Sequence, residues 1–365
     1  MRNLSYTRSR TIGPVFQFVD REEDTAMQTS SLPTALAVGR ASAEITPMEA
    51  RSIAKPIRIE PAFDDRNFVR ALFDRYAPYR AVAAYLPAGA DEAAGPRPAD
   101  AVNPWFRETW ALGGKALVEG ADQILGNPRF LAAARALFPT ARILPKLVVV
   151  NVNAPMPAGV PHIDVPAFRG ATRENFALRL LMAMGASGLF EPWRVVEAGA
   201  IAWFYDGPDG GFEYWPEGPA GPMRTESAPF GNVAIVADSD RMYHRIGRIG
   251  PPDVVLPRMS ASAEIRLDPD GSWSIFDQNE CRARYPKEAV RLSVVWKADV
   301  RLEGGTPVEP DPLTAPRVFQ ILRRDLLQRG VPCATDLALL KTPEWIQSVY
   351  RVYMSLAKMA APSAE

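Results

Sequence analysis

The sequence predicts a mainly β protein, a sandwich or jelly roll with helical additions at its N- and C-terminal ends. Two observations predict the core: over residues 143–300 short apolar or alternating runs follow one another closely, and Gly- and Pro-rich loops separate them. A third predicts the flanks, where apolar residues recur at helical spacing instead. Proline, at 35 of 365 residues, is about twice the usual ~5% and agrees with many short elements in place of long helical repeats.

Residues 1–55 show weak periodicity and read as an arm. Over 65–86, the apolar positions Phe68, Val69, Leu72, Phe73 and Tyr76 predict a helix. Residues 87–105 have the composition of a loop. Asn127 as cap and Pro128 in the first turn start a second helix, which runs through Leu131 and Leu137. The predicted strands follow: ILPKLVVVNVNA, NFALRLLMAM, AIAWFYD, GNVAIVAD, then SAEIRL and SWSIFD around the Pro269-Asp270-Gly271 turn, and AVRLSVVWKADV. Residues 206–231 read as a long loop holding Phe212, Tyr214 and Trp215, of the kind that serves as a lid. Beyond Pro312, Val318, Phe319, Leu322, Leu326 and Leu327 make one helical stripe, stopped by Gly330 and Pro332. Trp345, Ile346, Val349, Tyr350, Tyr353 and Leu356 make another, entered through Thr342 and Pro343. Packing on the sandwich accounts for these stripes, and a homodimer through the C-terminal helices is the other use that suits them. The expected division is an N-terminal arm and helical region packing on the core (1–142), a jelly-roll core (143–300) and a C-terminal helical extension (301–365).

Lysine plus arginine equals aspartate plus glutamate at 42 each, so no overall field favours nucleic acid or an anionic membrane. The N-terminal residues contain no continuous apolar segment of signal-peptide length. No stretch approaches the roughly 18 apolar residues of a membrane span; even LVVV at 147–150 is cut off by Asn151. A cytoplasmic protein with no nucleic-acid or membrane partner is expected. Cys281 and Cys333 lack CxxC spacing and read as ordinary thiols.

The chemistry concentrates in very few residues. The chain has two histidines, and one opens the segment His162-Ile163-Asp164. In extended backbone residues two apart point to the same side, so His162 and Asp164 can face one ion. His244 lies 80 positions after Asp164, at the end of GNVAIVADSDRMYH, a separation that lets several strands pass before the chain returns to the partner position. Two histidines and a carboxylate on one face of a metal, with open positions opposite, is the arrangement of non-haem Fe(II) oxygenases.

With these residues in view, the region 143–300 resembles the double-stranded β-helix of the Fe(II)/2-oxoglutarate-dependent dioxygenases. The residues that carry the resemblance are His162-x-Asp164, His244, and Arg291-x-Ser293 on the run RLSVVWKADV. The resemblance implies that Arg291 and Ser293 hold the distal carboxylate of 2-oxoglutarate, since a planar guanidinium donates two parallel hydrogen bonds to one carboxylate. The family's arginine usually follows the distal histidine closely, whereas 47 positions separate His244 from Arg291. An insertion between the last two core strands is the preferred account; Arg248 and Arg258, nearer in sequence, stay as alternatives. Asn151 and Asn153 either face the cavity and bond cofactor or substrate, or satisfy backbone at a strand end. Arg169 reads as a loop arginine or as a partner for an acidic substrate group. Trp203, Tyr205, Tyr214 and Trp215 either wall the pocket or belong to the core.

The activity implied by the resemblance is that of an oxidoreductase using Fe(II), 2-oxoglutarate and O2 on a small-molecule substrate. Iron would sit on His162, Asp164 and His244, and hydroxylation with release of succinate and CO2 is the default outcome. Because position 164 is a carboxylate and not Gly or Ala, the metal has no vacancy for chloride, which disfavours halogenation. Two rival readings remain. A jelly-roll isomerase or hydrolase holding zinc or manganese would keep the triad but have no use for Arg291 and Ser293. A non-catalytic ligand-binding module would carry the triad incidentally, and metal content separates it from both enzymes.

Overall fold

The run ILPKLVVVNVN becomes the longest strand because β-branched side chains, stiff at χ1, fit the pleat better than the crowded turn of a helix. A computed structural model describes residues 53–85, 102–139, 141–173, 175–218, 220–302 and 311–360. The expected arm over 1–55 lies almost wholly outside the described residues, as does most of the loop 87–105.

In chain order the elements are β1 (Ile57–Ile59), α1 (Arg66–Tyr76), β2 (Tyr79–Ala81), β3 (Trp105–Leu112), β4 (Lys115–Ala116), α2 (Ala121–Leu125) and α3 (Pro128–Leu137). The centre of the chain follows with β5 (Ala141–Asn153), α4 (Leu178–Ser187), β6 (Glu197–Tyr205), β7 (Phe212–Trp215), β8 (Arg224–Glu226), β9 (Phe230–Ala237) and β10 (Tyr243–Ile246). Then come β11 (Glu264–Leu267), β12 (Trp273–Asp277), β13 (Glu280–Tyr285), β14 (Arg291–Leu302), α5 (Ala315–Gln328) and α6 (Pro343–Ala360).

Two antiparallel sheets result. The larger runs β1-β9-β6-β14-β5-β3-β2-β11-β12-β13 with β4 on β3, and the smaller runs β10-β7-β8. The segment after β5 joins the smaller sheet through the bridges Met156↔Ile249 and His162↔His244. From β5 onward the chain therefore alternates: larger sheet at β5, smaller at 156–162, larger at β6, smaller at β7 and β8, larger at β9, smaller at β10, larger at β14. That winding is a jelly roll, with β9-β6-β14-β5 as its larger wall. The hairpins β11 to β13 leave the roll between β10 and β14 and add to the far edge of the larger sheet beside β2. The long gap between His244 and Arg291 is thus an insertion that leaves the strand order of the core intact.

Alternation on the larger sheet decides what each face meets. Outward, Val148, Val150, Val152, Ala200, Val294 and Trp296 pack on Val69, Leu72, Phe73 and Phe130 of α1 and α3. Trp296 is fully buried and its indole N–H donates to Leu125 O at 2.8 Å, so truncation to Ala would cost about 3–5 kcal/mol. Inward, Trp203, Tyr205, Val233 and Ile235 meet Phe212 and Tyr214 of the smaller sheet. A separate cluster joins α4 (Leu180, Leu181, Met184) to α5 (Val318, Leu322) and α6 (Val349, Tyr353), so these residues of the two C-terminal stripes are covered within the chain, while Leu327 stays exposed.

Several local expectations change. NFALRLLMAM holds the helix α4 and not a strand: it lacks β-branched residues, Leu, Met, Ala and Arg are strong helix formers, and Gly188 closes it at φ 69°. The first helix stops at Tyr76, because the proline at 78 pushes Ala77 out of the helical region to ψ 148°. Residues 206–231 are no simple lid, since β7 and β8 within them form most of the smaller sheet. The helix starting at Asn127 forms as expected, its side chain accepting from the N–H groups of Arg129 and Phe130.

Candidate metal centre

Backbone pairing assembles the triad. The amide of His162 donates to His244 O at 3.0 Å and the amide of His244 donates back to His162 O at 2.9 Å, which sets the two residues opposite each other across the smaller sheet. Two residues on, the Asp164 amide donates to Ser239 O at 3.0 Å, tying the loop to the β9–β10 turn. The imidazole centroids stand 4.7 Å apart, and one donor atom from each of His162, Asp164 and His244 lies within 4.8 Å of the others. Among the described residues this is the only such cluster of His, Cys, Asp and Glu.

Both rings are oriented by their own chain. His162 Nδ1 lies 2.8 Å from Val160 O and His244 Nδ1 lies 2.9 Å from Met242 O. A carbonyl only accepts, so each Nδ1 carries a proton, which leaves each Nε2 as the ring atom that could ligate a metal. His244 Nε2 stands 3.9 Å from Asp164 Oδ1. Burial, opposed by Asp164, pushes His244 down to about 4, so the imidazole is neutral at pH 7. Burial pushes the Asp164 carboxyl up, but the Lys297 ammonium, through its charge and its hydrogen bond, holds the group well below the usual carboxylate range. A neutral His244 imidazole and an ionised Asp164 carboxylate are protonation states in which these groups can ligate a divalent cation. The donor set fits a metal.

Beside the triad, β14 sends Arg291, Ser293, Val295 and Lys297 inward by alternation. Arg291 is 2% exposed. Its guanidinium carbon stands 5.8 Å from the Trp203 ring and 5.6 Å from the Phe230 ring. Its Nε and Nη2 have no hydrogen-bond partner, and among the described residues no carboxylate forms an ion pair with it. Burial brings it down to about 9. A buried cation left in this state is costly to maintain, and an anion is the partner that would offset the cost. The alternatives differ: Arg248 is half-exposed, paired with Asp209 at 3.2 Å and donating to Gly250 O, and Arg258 is exposed.

Asn151 opposes Ser293 in the β5–β14 register. Its Oδ1 accepts from Trp105 Nε1 and Arg107 Nε, both at 2.9 Å, and its Nδ2 reaches Ser293 Oγ at 3.4 Å. Asn153, equally buried, has its Nδ2 3.8 Å from Met156 Sδ. Trp203, Tyr205 and Tyr214 are buried between the sheets, whereas Trp215 is partly exposed under Arg245 at 5.8 Å. Arg169 is tied into the loop through its backbone, to Trp193 O and Leu313 N.

Sequence reasoning missed a chain of charges centred on the buried Lys297 and Glu197. Lys297 Nζ meets Asp164 Oδ2 at 2.8 Å and Glu197 Oε2 at 3.3 Å; Glu197 is also held by Lys146, which meets Asp299 at 2.6 Å. The alternation that puts Arg291 and Ser293 on one side of the strand runs on to Lys297, so that residue's facing was findable. It also missed the brace behind the β9–β10 turn, where Arg194 binds Asp240 at 3.1 Å and Glu191 at 2.8 Å, and Glu191 also binds Arg241.

Strand winding and triad together define a double-stranded β-helix protein with a His-x-Asp…His cluster between its sheets. No protein-family model matches the chain, and no curated protein matches it by sequence. Solved structures similar to it include a 2OG-Fe(II) oxygenase-family oxidoreductase from Burkholderia pseudomallei, at 14% identity over 69% of this chain and 86% of that one, TM-score 0.34. A Pseudomonas putida prolyl-4-hydroxylase is similar at 14% identity over 69% and 94%, TM-score 0.32. HygX from Streptomyces hygroscopicus, solved with nickel, 2-oxoglutarate and hygromycin B, is similar at 10% identity over 71% and 94%, TM-score 0.34. At such scores the fold rests on this chain's own strand order.

Proposed function

We propose that this chain is a non-haem Fe(II)/2-oxoglutarate-dependent oxygenase that hydroxylates a small-molecule substrate. His162, Asp164 and His244 would hold the iron, and Arg291 with Ser293 would hold the distal carboxylate of 2-oxoglutarate. Iron and 2-oxoglutarate, when bound, supply the oxidising power to hydroxylate an unactivated carbon with O2, releasing succinate and CO2. The protein's residues orient and shield. Val160 O and Met242 O fix the imidazole tautomers, and the aromatic rings between the sheets keep water from the anion site. Asn151, its carbonyl oxygen already taken by Trp105 and Arg107, would orient the Ser293 hydroxyl.

The observation that carries this reading is Arg291. A triad alone suits zinc or manganese chemistry equally well. A desolvated guanidinium with two unpartnered nitrogens on the same inward face of β14 as Lys297 supports a metal site that also takes a dicarboxylate. The test is anaerobic addition of 2-oxoglutarate to Fe(II)-loaded protein. The expected result is the weak visible metal-to-ligand charge-transfer band of a chelated keto acid, absent in His162→Ala. Iron binding without that band would move the assignment to a metalloenzyme independent of 2-oxoglutarate. Location in the cytoplasm and assembly into a homodimer are carried forward as parts of this proposal. Among the described residues no helix is long and apolar enough to cross a membrane.

A further inference from the structure

We propose that Lys297 is a positioning residue for the metal: it takes Asp164 Oδ2, so that Asp164 offers the ion a single oxygen, Oδ1. The inference rests on the reading of the triad as a metal site. A carboxylate can bind a metal through one oxygen or both, and the second mode uses up a coordination position that a chelating co-substrate needs. Here the two oxygens are already distinguished. Oδ1 faces His244 Nε2 at 3.9 Å, while Oδ2 is 2.8 Å from the Lys297 ammonium.

Nothing in the surroundings lets the ammonium swing away. Lys297 is 6% exposed, and its second contact, Glu197 Oε2 at 3.3 Å, lies on the neighbouring strand β6. Glu197 is in turn fixed by Lys146, and Lys146 by Asp299 at 2.6 Å. The series Asp299, Lys146, Glu197, Lys297, Asp164 alternates in sign across the inward faces of three adjacent strands and ends on the ligand. A lysine is a point donor on a flexible stem, so a fixed second partner is what turns it into a directional one. Carboxylates that bind metals are commonly oriented by such outer hydrogen bonds, and losing one shifts metal affinity by about 10–100-fold.

The test uses the full chain, metal-free, titrated with Co(II), whose visible d–d bands report coordination number. Wild type should bind one equivalent, and His162→Ala should weaken binding by about a hundredfold or more. Lys297→Met should still bind, but with its visible bands shifted from those of wild type as Asp164 closes on the ion through both oxygens and changes the ligand field. Lys297→Arg, which keeps a donor, should recover the wild-type spectrum. Glu197→Gln preserves side-chain volume and serves if Lys297→Met does not fold; it should move the spectrum the same way by less. Wild-type spectra in both Lys297→Met and Glu197→Gln, or in Glu197→Gln alone should Lys297→Met not fold, would overturn the positioning role and leave the triad standing. No Co(II) binding by wild type would overturn the metal site itself and the proposal with it.

Discussion

The two ends of the inward face of β14 carry buried cations in opposite circumstances. At one end Lys297 touches two carboxylates, Asp164 and Glu197; at the other Arg291, six residues earlier, touches none. Burial works against charge on both. It is overridden at Lys297, which stays raised above the usual lysine range by Asp164 and Glu197, and unopposed by any carboxylate at Arg291, which falls to about 9. The paired cation belongs to the folded protein's own electrostatics, and the bare one has no such counterpart. This contrast is what motivates the two proposed roles, Lys297 as a positioning residue and Arg291 as an anion ligand.

The contrast predicts opposite consequences for removing each charge. The largest effect is expected in function: Arg291→Met should raise the 2-oxoglutarate concentration needed for half-maximal turnover by about a hundredfold or more, the loss of a charge-assisted bidentate contact. Turnover against 2-oxoglutarate concentration checks it, and an unchanged requirement would transfer the role to another cation. Next in size, Lys297→Met should destabilise the metal-free protein by about 3–5 kcal/mol, since it strands Asp164 and Glu197 without their shared cation. Arg291→Met should instead leave stability unchanged or raise it by about 1–2 kcal/mol, because it removes an unpaired buried charge and adds apolar contact with Trp203 and Phe230. Urea denaturation of both variants reads the sign directly. Equal losses would erase the distinction between the two ends.

How far each end was legible follows from the same physics. His162, Asp164 and His244 could be grouped because an HxD step is a local property of extended backbone and the chain holds only two histidines; Arg291 and Ser293 were singled out by the resemblance to the dioxygenase family, and alternation only puts them on one side. The strands of the larger wall were legible for a related reason: VVVNV, AIAWF and VAIVA are β-branched or aromatic runs that few other conformations accommodate. Glu197 and Lys146 could not be read. Each is one of many charges, and only the register that brings β5, β14 and β6 side by side gives them a role. The misreading of α4 has a different origin, since a short apolar segment is strand-like or helix-like until its residue types are weighed. The smaller sheet escaped because β7 and β8 are only four and three residues long inside a Gly- and Pro-rich stretch.

The smallest expected effect concerns the brace behind the paired end. Asp238 and Asp240 are both buried in the β9–β10 turn, and burial, followed by the hydrogen bond between them, pushes Asp240 up to about 7. Between pH of about 4 and 7 the folded state therefore holds a proton at Asp240 that the unfolded chain has released, and stability falls as pH rises. His244 acts in the opposite sense. Its folded value of about 4 lies below its ordinary 6.5, so the unfolded chain binds the extra proton and stability rises with pH over that interval. In the metal-free wild type the two slopes oppose each other below pH 6.5. Asp240→Asn should remove one of them: stability should climb from pH 4 to 6.5, and at pH 8 exceed wild type by on the order of 1 kcal/mol. Urea midpoints measured across that range check it. A variant that tracks wild type at every pH would show that Asp240 is ionised in the folded protein, and that the saturation seen at Lys297 extends through the turn behind it.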